Sequence, residues 1–183
     1  VASRGLGDVY KRQDKDPLAA LRKAAGKEPL KGHRDVRVEN DSDGSAVAWT
    51  NDGTQAAVQI HAVDNKDRWI ATVDLPGATL QPRHRLTDAA WVNWGFNQFG
   101  WLPDNRTLWL LSEESGYSHL YTAAGTEKFR ARTSGKWEVS EPEIAPDGNG
   151  FLFLCNRDWP GDYEVCKLDL ANNAVSYTHL RAH

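Results

Sequence analysis

The apolar positions of the chain fall in short runs separated by Gly, Pro, Asn and Asp, and the clearest such phrase lies between Trp91 and Tyr121. Pro103-Asp104-Asn105 at its centre is a turn signal: Pro presets φ, Asp bonds the backbone that follows it, and Asn tolerates the left-handed region. Residues 108–111 form a continuous apolar run with Trp109 inside it, which predicts a buried strand. Residues 112–117 are polar and contain Gly116, predicting a hairpin loop, and residues 119–122 lead back as the partner strand. The aromatic residues from Trp91 to Trp101 enter this phrase from its N-terminal side.

The first half of the phrase recurs. Asp43-Gly44 precedes the run 46–49 and Thr50, and Pro146-Asp147-Gly148 precedes the run 151–154 and Cys155. Each time a turn leads into a buried strand, and a polar residue opens the next hairpin. The interval from Asp104 to Asp147 lies in the range of a four-stranded propeller blade, roughly 40–50 residues, whereas the interval from Asp43 to Asp104 requires an insertion. The pattern predicts an all-β fold, an incomplete β-propeller of about three blades.

Taken in order, residues 14–35 read as a helix and a connector. Asp16 is a cap, Pro17 suits the first helical position, Leu, Ala, Arg and Lys favour the interior, and Gly26 terminates it. The propeller part is expected over residues 36–174. Within it, Asp41 to Gly44 and Asn51-Asp52-Gly53 are turns, runs 56–62 and 69–73 are strands, and residues 75–88 are a Pro-containing crossing. A calcium loop at Asp41 to Gly44 lacks the further acidic ligands at EF-hand spacing. Residues 137–144, 151–154 and 163–170 supply the strands of the last blade.

The two ends are related through one DNA sequence. Residues 3–13, SRGLGDVYKRQ, can be encoded by a segment whose reverse complement, read in another frame, encodes VSYTHLRAH, residues 175–183. That segment resembles a transposon-derived sequencing-library adapter of the kind left in a metagenomic assembly. Residues 1–13 and 175–183 are therefore set apart from the fold as adapter-derived, and the last blade is expected to lack its final strand. Gly5-Leu6-Gly7, which looks like the start of a dinucleotide loop, falls with them.

Without these ends the chain is more acidic than its formal charge of −3, which argues against a nucleic-acid or anionic-membrane surface. No run is long and apolar enough to span a membrane. All 8 Trp residues lie in the interior stretch, a density that disordered segments do not show.

Chemistry is sparse. There is no G-x-S-x-G elbow, P-loop or H-E-x-x-H, and His33, His61, His84 and His119 lack metal-ligand spacing. No cofactor is implied. Glu113-Glu114 is placed at a hairpin tip, where adjacent carboxylates diverge rather than act as an acid/base pair. His119 either orients a substrate or packs beside Tyr117 and Tyr121. Cys155 and Cys166 flank a hairpin loop: they form a disulfide if register brings them together, and are otherwise two small buried residues. Trp94, Phe96 and Asn97, at the entry to an inner strand, are the expected substrate-binding residues.

The segments DNKDRWIATVD from Asp64, AWVNWGFNQFGWLPD from Ala90, TLWLLSEESGYSHLYT from Thr107 and KWEVSEPEIAPDGN from Lys136 together resemble the N-terminal propeller of bacterial dipeptidyl-peptidase IV-type serine peptidases of the prolyl oligopeptidase clan. The resemblance implies a non-catalytic propeller that gates and contacts short peptide substrates for a C-terminal α/β-hydrolase domain carrying the Ser, Asp and His triad. It also implies a periplasmic or secreted parent, with a homodimer of that parent left open. Two departures limit the transfer. Glu113-Glu114 does not match the family's paired glutamates, which belong to an earlier segment, and residues 94–97 lack the arginine found there in the animal enzymes. The alternative is a periplasmic protein-binding propeller of the TolB type, whose repeats are similar but more evenly spaced.

Overall fold

The computed structural model describes residues 23, 24, 26, 36–38 and 46–178. Of the expected helix, Lys23 and Ala24 are helical, and Gly26 takes φ 69° with its N–H on the Lys23 carbonyl at 3.1 Å. The rest of the helix, the connector and the Asp41 to Gly44 turn lie outside the described residues. The chain divides into two compact units, Val1–Ala48 with Gly53–Val92, and Trp49–Asp52 with Asn93–His183.

The first sheet holds β1 (Val36–Arg37), β2 (Val47–Trp49), β3 (Ala56–Ala62), β4 (Asp67–Asp74) and β5 (Thr79–Thr87), in the order β1-β3-β4-β5 with β2 also pairing β3. Its β3 is buried along its whole length. Alternation sends Val58, Ile60 and Ala62 to one face, where they pack with Trp69 and Ala71. Arg85 of β5 bonds Asp67 at 2.7 Å and lies over the Trp69 ring.

The second unit carries two four-stranded antiparallel sheets. One is β6 (Phe99–Trp101), β7 (Thr107–Ser112), β8 (His119–Ala124) and β9 (Arg130–Ala131); the other is β10 (Val139–Ile144), β11 (Gly150–Cys155), β12 (Glu164–Asp169) and β13 (Val175–Thr178). In each sheet the strands pair in sequence order. Trp109, Leu111 and Leu120 meet Phe151, Phe153, Cys166 and Leu168 in one core with Trp137 and Val139. The Trp109 and Phe151 rings meet edge to face at 5.4 Å. Fully burying an aromatic such as Phe151 contributes about 1.5–3 kcal/mol. The three sheets are blades of an incomplete β-propeller, the all-β class expected from the repeats.

The structure changes three readings. First, the phase of the repeat shifts. The element equivalent to Pro103-Asp104-Asn105 and Pro146-Asp147-Gly148 is Asn51-Asp52-Gly53, not Asp43-Gly44, because Gly53, Asn105 and Gly148 share the left-handed conformation (φ 68°, 54° and 70°) at matching positions. A buried residue precedes each turn: Thr50, Leu102 and Ala145. The run 46–49 is thus the strand before the turn, not the one after it.

Second, the expected crossing at residues 75–88 is largely β5. Pro82 is tolerated because β5 is an edge strand and the ladder slips between Ile70 and Ala71 beside it. Third, the last blade has a fourth strand. Val175–Thr178, in the stretch that the sequence reading set apart from the fold, pairs antiparallel with β12.

Candidate functional site

The antiparallel order of the second unit gathers four connections at one end: the turn before β6, the β7–β8 hairpin, the segment from β9 to β10, and the β11–β12 hairpin. Backbone bonds tie them together, Leu111 N–H to Gln98 at 2.9 Å, Arg132 to Leu120 at 2.7 Å and Val139 to Ser118 at 2.9 Å. Ser118 returns its hydroxyl to the Val139 carbonyl at 2.8 Å.

The turn before β6 is a single 3₁₀ turn, Trp94–Phe96, capped by Asn93, whose Oδ1 accepts the Gly95 N–H at 2.9 Å. It sets the depth of the predicted contact residues. Trp94 is half-buried, Phe96 is half-buried and packs on the core, and Asn97 is 0% exposed. Trp94 and Phe96 therefore border the face, while Asn97 lies beneath it.

In the β7–β8 hairpin, Glu113 is half-buried and Glu114 is exposed. Burial pushes the Tyr121 phenol above its ordinary 10.0, opposed by a hydrogen bond with Ser115 and reinforced by the charge of Glu114 and a hydrogen bond to it. Glu114 is thus engaged by a tyrosine of its own blade.

His119 is a packing residue. Its Nδ1 is 3.0 Å from Thr133 Oγ1, its Nε2 is 3.1 Å from the Gly135 carbonyl, and its ring meets the Trp137 edge at 5.1 Å. The carbonyl partner assigns the proton to Nε2, so Nδ1 accepts from Thr133. Thr133 and His119 have the spacing of a nucleophile and a base, yet the threonine is 3% exposed and its oxygen also takes the Leu120 N–H. Burial lowers the His119 pKa from 6.5, with the Gly135 bond opposing the shift.

The β11–β12 hairpin is the most built loop at this end. Asn156 Oδ1 accepts the Glu138 N–H at 2.7 Å, its Nδ2 donates to the Pro160 carbonyl at 3.3 Å, and the Asp162 N–H closes on Trp159 at 3.0 Å. The structure joins Cys155 and Cys166 at the base, with Cα atoms 6.0 Å apart. On this frame Trp159 is 69% exposed, and the Tyr163 hydroxyl lies 3.4 Å from Glu138 Oε2. Tyr117 is exposed on the neighbouring hairpin.

The end therefore presents aromatic rings interspersed with carboxylates. Trp159, Tyr163 and Glu138 were missed by sequence reasoning; the available signal was Trp-Pro-Gly inside a predicted hairpin loop. Among the described residues no group of three or more His, Cys, Asp or Glu side chains converges as a metal site, and no helix is long and apolar enough to cross a membrane.

Residues 37–181 match the family model described as the dipeptidyl peptidase IV (DPP IV) N-terminal region. The chain belongs to this family. The blades of this DPP IV N-terminal region are similar to those of a Bacteroides ovatus protein described as a dipeptidyl aminopeptidase IV, with TM-score 0.63 and 16% identity over 83% of this chain and 24% of that one. They are similar also to Porphyromonas gingivalis dipeptidyl peptidase 4, with TM-score 0.62 and 17% identity over 74% of this chain and 19% of that one. At these identities the likeness is one of fold. The DPP IV N-terminal region seen here thus spans about a quarter or less of those chains. No curated protein matches the sequence.

Proposed function

We propose that this propeller region forms the substrate-contacting and access-limiting face of a periplasmic or secreted serine exopeptidase or oligopeptidase. The catalytic triad would lie in a separate α/β-hydrolase domain of the parent chain. The observation that carries the reading is the loop end of the second unit, where Trp159 is exposed and Tyr163 reaches the Glu138 carboxylate. Family membership supports it. Aromatic rings provide apolar contact area at low entropic cost, and a carboxylate beside them provides an acceptor for the amino group of a short peptide. Trp94 and Phe96 border the same end.

The chain's own residues supply binding and orientation rather than chemistry. His119 is committed to Thr133 and Gly135, so it is not poised as a general base for a bound peptide. A TolB-like scaffold has gained one argument: with the repeat starting at Asp52, the turns are more evenly spaced than they first appeared. The family match outweighs it.

The test is to recover the flanking DNA from the same source and read the frame beyond residue 174. A frame that continues through further blades into G-x-S-x-G, then Asp and His, is the expected result. A frame that closes the propeller and stops would replace the peptidase reading with the scaffold.

A further inference from the structure

A cleft of about 230 Å³ opens in the second unit, lined by Arg132, Thr133, Ser134, Trp137, Arg157, Asn173 and Val175. Its polar lining is neutral or cationic, in a chain that carries 25 acidic residues against 22 basic ones. Arg132 is fixed within it. Its Nε donates to Thr122 Oγ1 at 2.6 Å and its Nη1 to Asn173 Oδ1 at 3.1 Å. Both acceptors are uncharged, and among the described residues no carboxylate pairs with Arg132. The Trp137 wall is fixed too, against the His119 edge and stacked with Phe153 at 6.4 Å.

A half-buried cation held only by neutral oxygens retains its demand for a counter-charge. The two bonds also orient the guanidinium, with the Nη2 N–H groups left for a ligand. A guanidinium held in this way offers donors that match the oxygens of a carboxylate. Arg157 adds a second positive charge to the same cleft. A single fixed fork beside an indole wall suits a monoanionic carboxylate better than a phosphate dianion, which asks for more cations.

We propose that this cleft binds a carboxylate, from the C terminus or an acidic side chain of a peptide, with Arg132 as its principal donor. The cleft draws on the β9–β10 segment and the β11–β12 hairpin of the loop end, but the proposal rests on Arg132 and its partners and does not depend on the peptidase reading.

The experiment titrates the 183-residue chain with sodium acetate and, separately, with inorganic phosphate at constant ionic strength. The readouts are the Arg132 Nε–H and Trp137 indole N–H signals in nitrogen-edited NMR spectra. Acetate is expected to move both signals saturably, and phosphate to bind more weakly. Arg132→Gln should lower acetate affinity by about tenfold or more, the scale of a lost charge-assisted pair. Asn173→Ala, which keeps the charge but frees the guanidinium, should weaken binding less. Non-saturating shifts, acetate affinity unchanged by Arg132→Gln, or tighter binding of phosphate would overturn the proposal. If Arg132→Gln does not fold, Arg132→Lys decides the matter: it keeps the charge and loses the fork, so undiminished acetate affinity in that variant would equally overturn it.

Discussion

The rings of His119 and Trp137 meet edge to face, with centroids 5.1 Å apart and planes at 85°. A neutral imidazole suits that contact and the bonds to Thr133 and Gly135, and burial lowers the His119 pKa below 6.5. The unfolded chain therefore takes up this proton at a higher pH than the folded one. The contribution to stability is complete above pH 6.5 and is lost as the pH falls from there toward the folded pKa. Denaturant midpoints measured across that window should fall with pH, and His119→Gln should flatten the fall. An undiminished slope in the variant would show that another group is responsible.

Asp104 gives a second step at lower pH. Its Oδ1 accepts the Arg106 and Thr107 N–H groups at 2.9 and 2.8 Å, and its Oδ2 accepts the Thr107 hydroxyl at 2.6 Å. Burial alone would raise its pKa, but the bonds from Thr107 and Arg106, with the Arg106 charge, hold it below 3.8. This contribution is present above 3.8 and is lost as the pH falls further. Asp104→Ala should cost about 1 kcal/mol at neutral pH and remove that component of the acid limb while leaving the His119 step in place. Acid denaturation curves of the two variants separate the effects.

Gly53 and Gly148 test whether the three turns are equivalent. Both are left-handed, but a Cβ on Gly53 would meet nothing within 4 Å, whereas one on Gly148 would lie 3.3 Å from Pro103 Cγ. Gly53→Ala should cost about 1 kcal/mol from the backbone alone. Gly148→Ala should cost more, since Pro103 must also give way. Equal losses in thermal melts would show that Pro103 yields freely.

Much of this architecture could be read from the residues. The apolar runs located β3, β4, β7, β8 and β11, because buried strands leave nearly unbroken hydrophobic stretches, and β12 followed as the return strand of the hairpin after β11. Two choices failed for identifiable reasons. Asp43-Gly44 and Asn51-Asp52-Gly53 are both good turns, and only alignment of the left-handed residues, Gly53 with Asn105 and Gly148, selects the second. Pro82 looked like a breaker because its edge position is a property of the sheet, not of the local sequence.

At the loop end, the aromatic character of residues 94–97 was legible but their depth was not. The turn capped by Asn93 buries Asn97, and nothing local announces that Trp159 projects outward. The Arg132 cleft left a fainter trace: the stretch from Lys128 to Lys136 is basic and free of carboxylates within an acidic chain.

Register bears most directly on the two cysteines. Cys155 opposes Glu164 and Cys166 opposes Phe153, so the pair is diagonal across β11 and β12, with both side chains buried in the core. Their Cα separation of 6.0 Å falls within the range a disulfide spans. A bridge here closes the short loop that displays Trp159, and for loops of this size the constraint on the unfolded chain contributes about 2–4 kcal/mol. Protein made in an oxidising compartment and alkylated without reduction should carry no label at either cysteine. Reduction should lower the melting temperature and increase amide exchange in residues 156–163, and Cys155→Ala with Cys166→Ala should reproduce both effects without reductant. Two labelled thiols in unreduced material, or a melt indifferent to reductant, would leave the cysteines as core packing alone, with Asn156 and its bonds to Glu138 and Pro160 as the hold on the hairpin.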